Sequence, residues 1–519
     1  MSEALGKGEV KGSGSAVVRR SAARNRDLIR GVFCLALLAA SPAPAQQKHT
    51  LSVDESIAMA VDHGFTAGEV RSRYISARST AESSRRRLWT SVSLSVAAPD
   101  YRESLTQQFN SLSGTYEYYQ VNTTNVQSTL SISQPLIFTG GTLRLNQLLL
   151  GRNQTSGLTG STQQVRDYFS DFAIEFDQPF LTPNLHRVDA ARARIALDQA
   201  ETDFLKDQLD LSYAVIQSFY SVYQWSQSLL ITAEQVRQNE ESYATARNKY
   251  SAGLIPEVDV LQSEVELASS RNDSLNAERE LAAAKNAFRL LLGIPTEDEV
   301  ETVPEFLSDS VGIDQTLAIG SALKNRSEVL AASRNSELRE ADVDVARSRS
   351  GFRFDVSARY GLNRNDTIFN NVFHEFNRAR SASLTLSVPI FDWGSNSLLV
   401  DAAEADYAVA RSRQDYVRQQ VRQEIIDLVT KIHLAHSRAR LLEKSAVVAQ
   451  KGYDISLQRF RTGSINRNEL SQAQQRLTSA RMNALNALIE YRLGLADLRR
   501  KTLWDFEKNE PARAIMDGK

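Results

Sequence analysis

Two hydrophobic periods divide this chain. Val421, Ile425, Leu428, Ile432, Ala435, Ala439 and Leu442 alternate steps of four and three, the spacing of helices packed along a seam. Leu211, Val215, Ser218, Val222, Trp225 and Leu229 reproduce that seam 210 positions earlier. Ahead of each seam the period falls to two. Phe352, Phe354, Val356, Ala358 and Tyr360 alternate with polar residues, and so do Leu384, Leu386 and Val388. Val92, Leu94 and Val96, then Phe172, Ile174 and Phe176, do the same in the first half. Such segments are strands with one apolar and one polar face. They suit a barrel wall between lipid and water, or a half-buried sheet in a soluble domain.

The stretches after Asn184 and Ser395 run to Tyr250 and Phe460 without proline, with Gly452 the one interrupting glycine. About 65 residues of helix span about 100 Å. Tyr250-Ser-Ala-Gly253-Leu254-Ile-Pro and Phe460-Arg-Thr-Gly463-Ser464-Ile-Asn, again 210 apart, are where each long helix turns back. Long antiparallel hairpins over 184–293 and 395–499 follow. Pro179 and Pro389, which close the strand patterns ahead of them, share the same offset, so the chain reads as an internal two-fold repeat. The halves are unequal. Ser52 and Glu55 form a capping box opening a first helix, and its counterpart near Asp314 lies about 260 positions on. The extra residues contain a second strand-ending pattern at Gln134-Pro135-Leu136 and a Gly140-Gly141 turn. The expected strands are therefore about 90–97, 126–136, 141–150 and 170–178 in the first repeat (46–310), and 352–361 and 382–389 in the second (311–503). The added pair is expected in the barrel wall, with a surface hairpin as the fallback. Residues Tyr101 to Asn125, rich in Ser, Thr, Asn, Gln and Tyr, read as a long outward loop, and 504–519 as a C-terminal tail.

Composition and charge narrow the setting. Arg19, Arg20, Arg24, Arg26 and Arg30 precede an apolar run from Gly31 to Ala40 and an Ala43-Pro44-Ala45 cleavage pattern, the organisation of a secretory signal over residues 1–45. The only cysteine, Cys34, lies inside that signal, so the mature chain has no thiol chemistry. No later segment has the roughly 18 apolar residues of a membrane helix. Net charge is −1, which offers no field for nucleic acid. The histidines form no HExxH motif, and no phosphate loop or nucleophile elbow is present, so neither catalysis, a metal nor a cofactor is implied. His433 and His436 lie three apart on a helix and read as surface residues. Export together with the helix lengths favours the barrel wall; a soluble periplasmic coiled-coil adaptor or spacer is the alternative.

These features together resemble the TolC-like outer-membrane efflux proteins: two helix–strand–helix repeats, a proline-terminated strand before each long helix, and G-x-[IV]-x-x-x-[DE]-[VL] turns. The resemblance covers about Leu51 to Leu503. It implies a mainly α fold with a β-barrel part, assembled as a homotrimer in outer-membrane lipid, with a helical tunnel crossing the periplasm. A periplasmic adaptor and an inner-membrane transporter are the implied partners, and the duct itself supplies no energy. Adaptor docking is implied near Gly253, Leu254, Gly463 and Ser464. Matched positions place Asp259, Phe460, Glu469 and Gln472 at the periplasmic aperture, Glu469 on an acidic ring. The chain departs from the family pattern at two of those places. Ile465 stands where an arginine is usual and Gln472 where a second aspartate is usual, leaving Arg461 or Arg467 as the available cations.

Overall fold

In the computed structural model, residues 48–110, 113–158, 161–304, 311–512 and 515–516 are described. The signal-sequence reading lies outside them.

The chain opens with β1 (Lys48–Leu51), α1 (Val53–His63) and α2 (Phe65–Arg86), followed by four strands, β2 (Ser91–Asn110), β3 (Thr115–Pro135), β4 (Thr142–Leu158) and β5 (Ser161–Phe180). Next come the long α3 (Leu185–Ser251), its return α4 (Glu257–Leu292) and the short β6 (Glu299–Thr302). The second half contains α5 (Gln315–Asn325), α6 (Ser327–Ser350), β7 (Arg353–Asp366), a 3-10 turn, β8 (Asn377–Ser387), α7 (Ser395–Arg461) and α8 (Arg467–Thr502). A small hairpin of β9 (Trp504–Asp505) and β10 (Glu510–Pro511) follows. Helices α3 and α7 are each 67 residues long and α4 and α8 each 36. At 1.5 Å per residue the longer pair extends about 100 Å.

Local chemistry sets the helix ends. Ser52 and Glu55 form the capping box of α1 in both directions, Asp314 caps α5 through Thr316 and Leu317, and Asn184 caps α3 through the Arg187 amide. Asn184 also donates to the Ile137 carbonyl at 2.6 Å, which ties the β3–β4 turn to the start of the long helix. At the far ends, Gly253 and Gly463 adopt φ of 74° and 76°. The amides of Leu254 and Ser464 reach back to the carbonyls of Lys249 and Arg459. This is a left-handed helix stop that a Cβ would strain.

The seam residues face inward. Val421, Ile425, Leu428, Ile432 and Ala435 are buried with Ala318, Ala322, Tyr491 and Leu498, while Ala439 and Leu442 are half-buried. In the first hairpin Leu211, Val215 and Val222 join a larger core with Phe219, Phe288 and Leu292. Strands β1 and β6 pair in parallel beside it. The segment expected as a tail is docked on this core. Met516 is buried in it, and the Ile515 and Met516 amides donate to Gln208 Oε1 at 2.7 and 3.0 Å. His433 is exposed, and His436 packs on the Tyr491 ring at 4.9 Å.

One charged cluster joins α5, α6, α7 and α8. Arg326 reaches Glu424 at 2.6 Å and Glu328 at 3.3 Å, and Lys501 reaches Glu424 and Asp497, both at 2.8 Å. Burial opposes ionisation of Glu424, but the hydrogen bonds from Lys501 and Arg326 outweigh it and hold this carboxyl below its ordinary range. A depressed folded value adds stability above the unfolded carboxylate range, and that stability is lost as pH falls through the folded value. Glu424→Gln should therefore lower the urea midpoint at neutral pH, with the gap from the parent closing below about pH 4. An equal gap at both pH values would show that the carboxylate charge is not what matters there.

The strands form one antiparallel sheet in the order β2-β3-β4-β5-β7-β8. Strands β3 and β4 thus lie within this sheet, between β2 and β5. Most of the stretch from Tyr101 to Asn125, expected as a loop, is instead strand. Asp100–Asn110 pairs with Thr115–Asn125, which makes β2 and β3 20 and 21 residues long. Backbone pairing satisfies a polar sequence as readily as an apolar one, so its composition concealed the ladder.

Candidate transmembrane wall and periplasmic aperture

Register turns the alternation into two continuous surfaces. Val92 lies opposite Ile132, Ile132 opposite Leu145, Leu145 opposite Ile174, and Ile174 opposite Tyr360. Phe176, Ala358 and Ala382 form a second row, and Phe354 pairs with Leu386. Directly opposed residues share a face, so this side is an apolar band across all six strands. Much of it is open: Val92, Leu94, Leu384 and Leu386 expose 62–71% of their surface.

The opposite face carries Ser91, Ser93 and Ser95 against Ser133, Ser131 and Thr129, then charge. Arg144 pairs with Asp177 and lies 3.6 Å from Glu175. Arg359 pairs with Asp171 and reaches Glu175 at 3.2 Å, and Arg152 binds both Asp167 oxygens at 2.9 Å. Leu148, Leu150, Phe169 and Ala173 are apolar residues among them. A sheet with one greasy and one ion-paired face matches a wall with hydrocarbon outside and water inside.

Aromatic residues mark the edges of the band. At the helix-proximal ends Trp89, Phe138, Phe180, Phe352, Phe391 and Trp393 are all exposed. At the other end the outward face carries Tyr101, Phe109, Tyr116 and Tyr118. Such girdles sit at membrane–water interfaces. Tyr101 reaches that face through an irregularity. Strand β2 spends Pro99 and Ala98 in a bulge between Ala97 and Asp100, which reverses the side on which odd-numbered residues project. Pro99 removes no bond from the β2–β3 ladder, because it lies in the bulge, outside the paired register.

The proline strand ends occupy the same rim. Pro135 closes β3, Pro179 pairs with Asp355 below the last β4 partner, and Pro389 follows β8. Among the described residues, no helix is long and apolar enough to cross a membrane.

The opposite pole of the molecule consists of the hairpin turns. Gly253, Leu254, Gly463 and Ser464 are exposed at their tips. Asp259 is half-buried, whereas Glu469 and Gln472 are exposed. The Glu469 amide donates to Asn466 Oδ1, the α8 cap, at 2.9 Å. Phe460 differs in kind from these. It is buried with Tyr453, Ile465, Leu470 and Leu477, and the Lys249 ammonium lies 4.3 Å from its ring centre and donates to its carbonyl at 3.0 Å. That contact joins α3 to α7. A second tie joins α4 to α8, where buried Arg467 pairs with Glu266. Arg467 is thus the cation held here, while Arg461 is exposed. Ile465, where the family pattern has arginine, fills the apolar cluster instead. Lys249 and Glu266 were not anticipated from the sequence. The signal for Lys249 was the basic–aromatic pair ahead of each turn, Lys249-Tyr250 and Arg459-Phe460.

A membrane-facing sheet mounted on helical hairpins whose longer arms are 67 residues defines an outer-membrane duct. Comparison with known proteins agrees: the family model described as "Outer membrane efflux protein" matches residues 150–294 and 318–502, and the chain belongs to that family. The cation efflux system protein CusC of Escherichia coli (strain K12) is 25% identical over 353 residues, 65% of this chain and 73% of CusC. The outer membrane protein TolC of Vibrio cholerae is 22% identical over 305 residues, 58% of this chain and 69% of its own length. Among solved structures, the outer membrane protein VceC of Vibrio cholerae superposes with a TM-score of 0.65 at 16% identity, covering 89% of this chain and 97% of VceC. A crystal structure of CusC gives 0.63 at 16% identity, over 87% and 91% of the two chains. The chain is an outer-membrane efflux channel, with its helical part in the periplasm. Its relatives are channels rather than enzymes.

Proposed function

We propose that three copies of this chain close into one duct, and that the chain is a two-fold quasi-repeat with an added strand pair in its first half. The observation that carries this reading is the six-stranded sheet with one apolar face, one ion-paired face and two unpaired edges, β2 and β8. Open edges are not tolerated in hydrocarbon. Pairing β8 of each copy with β2 of the next removes them all. Six strands from each copy give about 18 in the ring, and barrel diameter grows roughly linearly with strand number. Equal lengths of α3 and α7, and of α4 and α8, support the quasi-repeat. They also let six hairpins stand side by side as a tunnel.

The duct takes cargo from an inner-membrane transporter through a periplasmic adaptor, which docks at the hairpin tips around Gly253, Leu254, Gly463 and Ser464. It performs no chemistry. Asp259, Glu469 and Gln472 face the aperture, and the Lys249–Phe460 and Arg467–Glu266 ties hold it narrow. Opening separates the hairpins, and the adaptor stabilises the open arrangement.

Reconstitution in planar bilayers tests this reading. The purified protein should run as a heat-modifiable oligomer on gels and give a small, long-lived conductance. Glu266→Ala should enlarge that conductance several-fold by leaving Arg467 unpaired and the tips free to part. Glu469→Gln should weaken block by divalent cations without changing the oligomer. A monomer with no conductance in either form would overturn the duct assembly. Normal conductance with unchanged cation block would remove Glu469 from the aperture.

A further inference from the structure

The outward face of β8 changes character abruptly. Ala382, Leu384 and Leu386 project from it, and exposed Val388 and Ile390 continue the apolar row toward the helices. Ala382 to Ser387 lie in the strand and Val388 to Ile390 extend beyond its end, together approaching the roughly 25 Å height of a lipid-facing band. The next two outward positions above it are Arg380 and Arg378. Both are exposed, and Arg380 lies 5.6 Å from the ring centre of Tyr360, its cross-strand partner. Among the described residues, no carboxylate lies within ion-pair reach of either guanidinium. The neighbouring arginines differ. Arg364 is engaged by Asp366 and Glu375, both at 3.2 Å, and Arg144, Arg152 and Arg359 on the inner face are all matched with acids.

From this arrangement we infer that Arg378 and Arg380, beside Tyr360, form a headgroup site for a phosphorylated anionic lipid of the outer leaflet. The inference rests on the membrane-wall reading above. Their position at the end of the band farthest from the helices places them at the outer boundary between hydrocarbon and headgroups. At that depth an arginine costs little. Its planar fork matches a phosphate through two parallel hydrogen bonds. Two such forks on alternate residues of one strand stand about 7 Å apart, enough to engage one headgroup from two sides. The acyl chains then lie along Leu384 and Leu386, so the apolar band and the charged pair serve the same molecule. A zwitterionic headgroup would bring its own cation to the pair and gain less.

The test uses the full mature protein reconstituted into phosphatidylcholine vesicles with or without lipid A, a phosphorylated glycolipid. Native mass spectrometry then counts lipid A retained per protein. Wild type should retain it, and R378Q/R380Q should lose about tenfold in retention, the equivalent of one charge-assisted hydrogen bond pair. Heat-modifiable migration of that variant should be unchanged. R378K/R380K, which keeps the charge without the fork, should fall between the two. Arg166→Gln, an exposed arginine farther up β5, should leave retention as in wild type. Equal retention in the double Gln variant, or equal loss on changing Arg166, overturns the site while leaving the wall intact. A wild-type protein that does not enter vesicles overturns the wall, and the site with it.

Discussion

Leu386→Arg is expected to abolish assembly in the outer membrane, whereas Thr385→Arg, one residue away, is expected to be tolerated. Leu386 is the middle of the five outward apolar positions of β8 and its extension and is 62% exposed beside its cross-strand partner Phe354. An arginine there meets hydrocarbon at mid-depth, at a cost of about 2–4 kcal/mol per copy. In the proposed trimer the charge occurs three times, so the total penalty is about 6–12 kcal/mol. That is comparable with the whole stability of a typical domain. Thr385 faces the water side opposite Asp355, so a guanidinium placed there gains a partner. Heat-modifiable electrophoresis of isolated outer membranes reads the outcome. Equal assembly of the two variants would mean that the two faces have been assigned the wrong way round or that the sheet does not meet lipid.

The second large effect is expected in the helical body. Phe219→Ala should cost about 3–5 kcal/mol, because Phe219 is fully buried and its ring meets Phe288 edge-on at 6.2 Å and Tyr220 at 5.4 Å. Those contacts lie where α3 and α4 pack together with α1, so the void cannot be filled by moving one side chain. Thermal unfolding of the detergent-solubilised protein should begin several degrees earlier, with helical signal lost first. The barrel should remain heat-modifiable, since no strand of the wall packs in that core. A melting profile unchanged from wild type would show that the site collapses without loss.

The helical part of this architecture was open to reading because its rules are local and periodic. A seam of fours and threes, a capping box at Ser52 and a glycine stop at Gly253 each fix one end or one face without help from distant residues. The outer half of β2 and β3 was not. Its Ser, Thr, Asn and Tyr residues satisfy a projecting ladder and a loop equally well, and the bulge at Pro99 breaks the alternation that would have revealed a strand. At the hairpin ends, matched positions pointed to Glu469, Gln472 and the glycine turns, all of which are exposed. They could not reveal that Phe460 is an internal anchor, because that depends on Lys249 crossing from another helix. The Arg467–Glu266 pair was equally hidden. Its partners are 201 residues apart, and nothing short of the crossing of α4 with α8 brings them together.

Both ends of the β3–β4 hairpin lie on one rim of the sheet. A strand pair that leaves and re-enters at the same edge can be gained or lost while Asn184 still caps the same helix on the same side of the membrane. The circumference of the wall can therefore change in steps of one hairpin per copy, while the number and pitch of the supporting helices stay fixed. In the proposed assembly, gauge at the outer surface and gauge at the periplasmic mouth become separate variables: one is set by counting strands, the other by side chains at the two hairpin turns of each copy. A duct built this way can widen its exit without loosening its entrance.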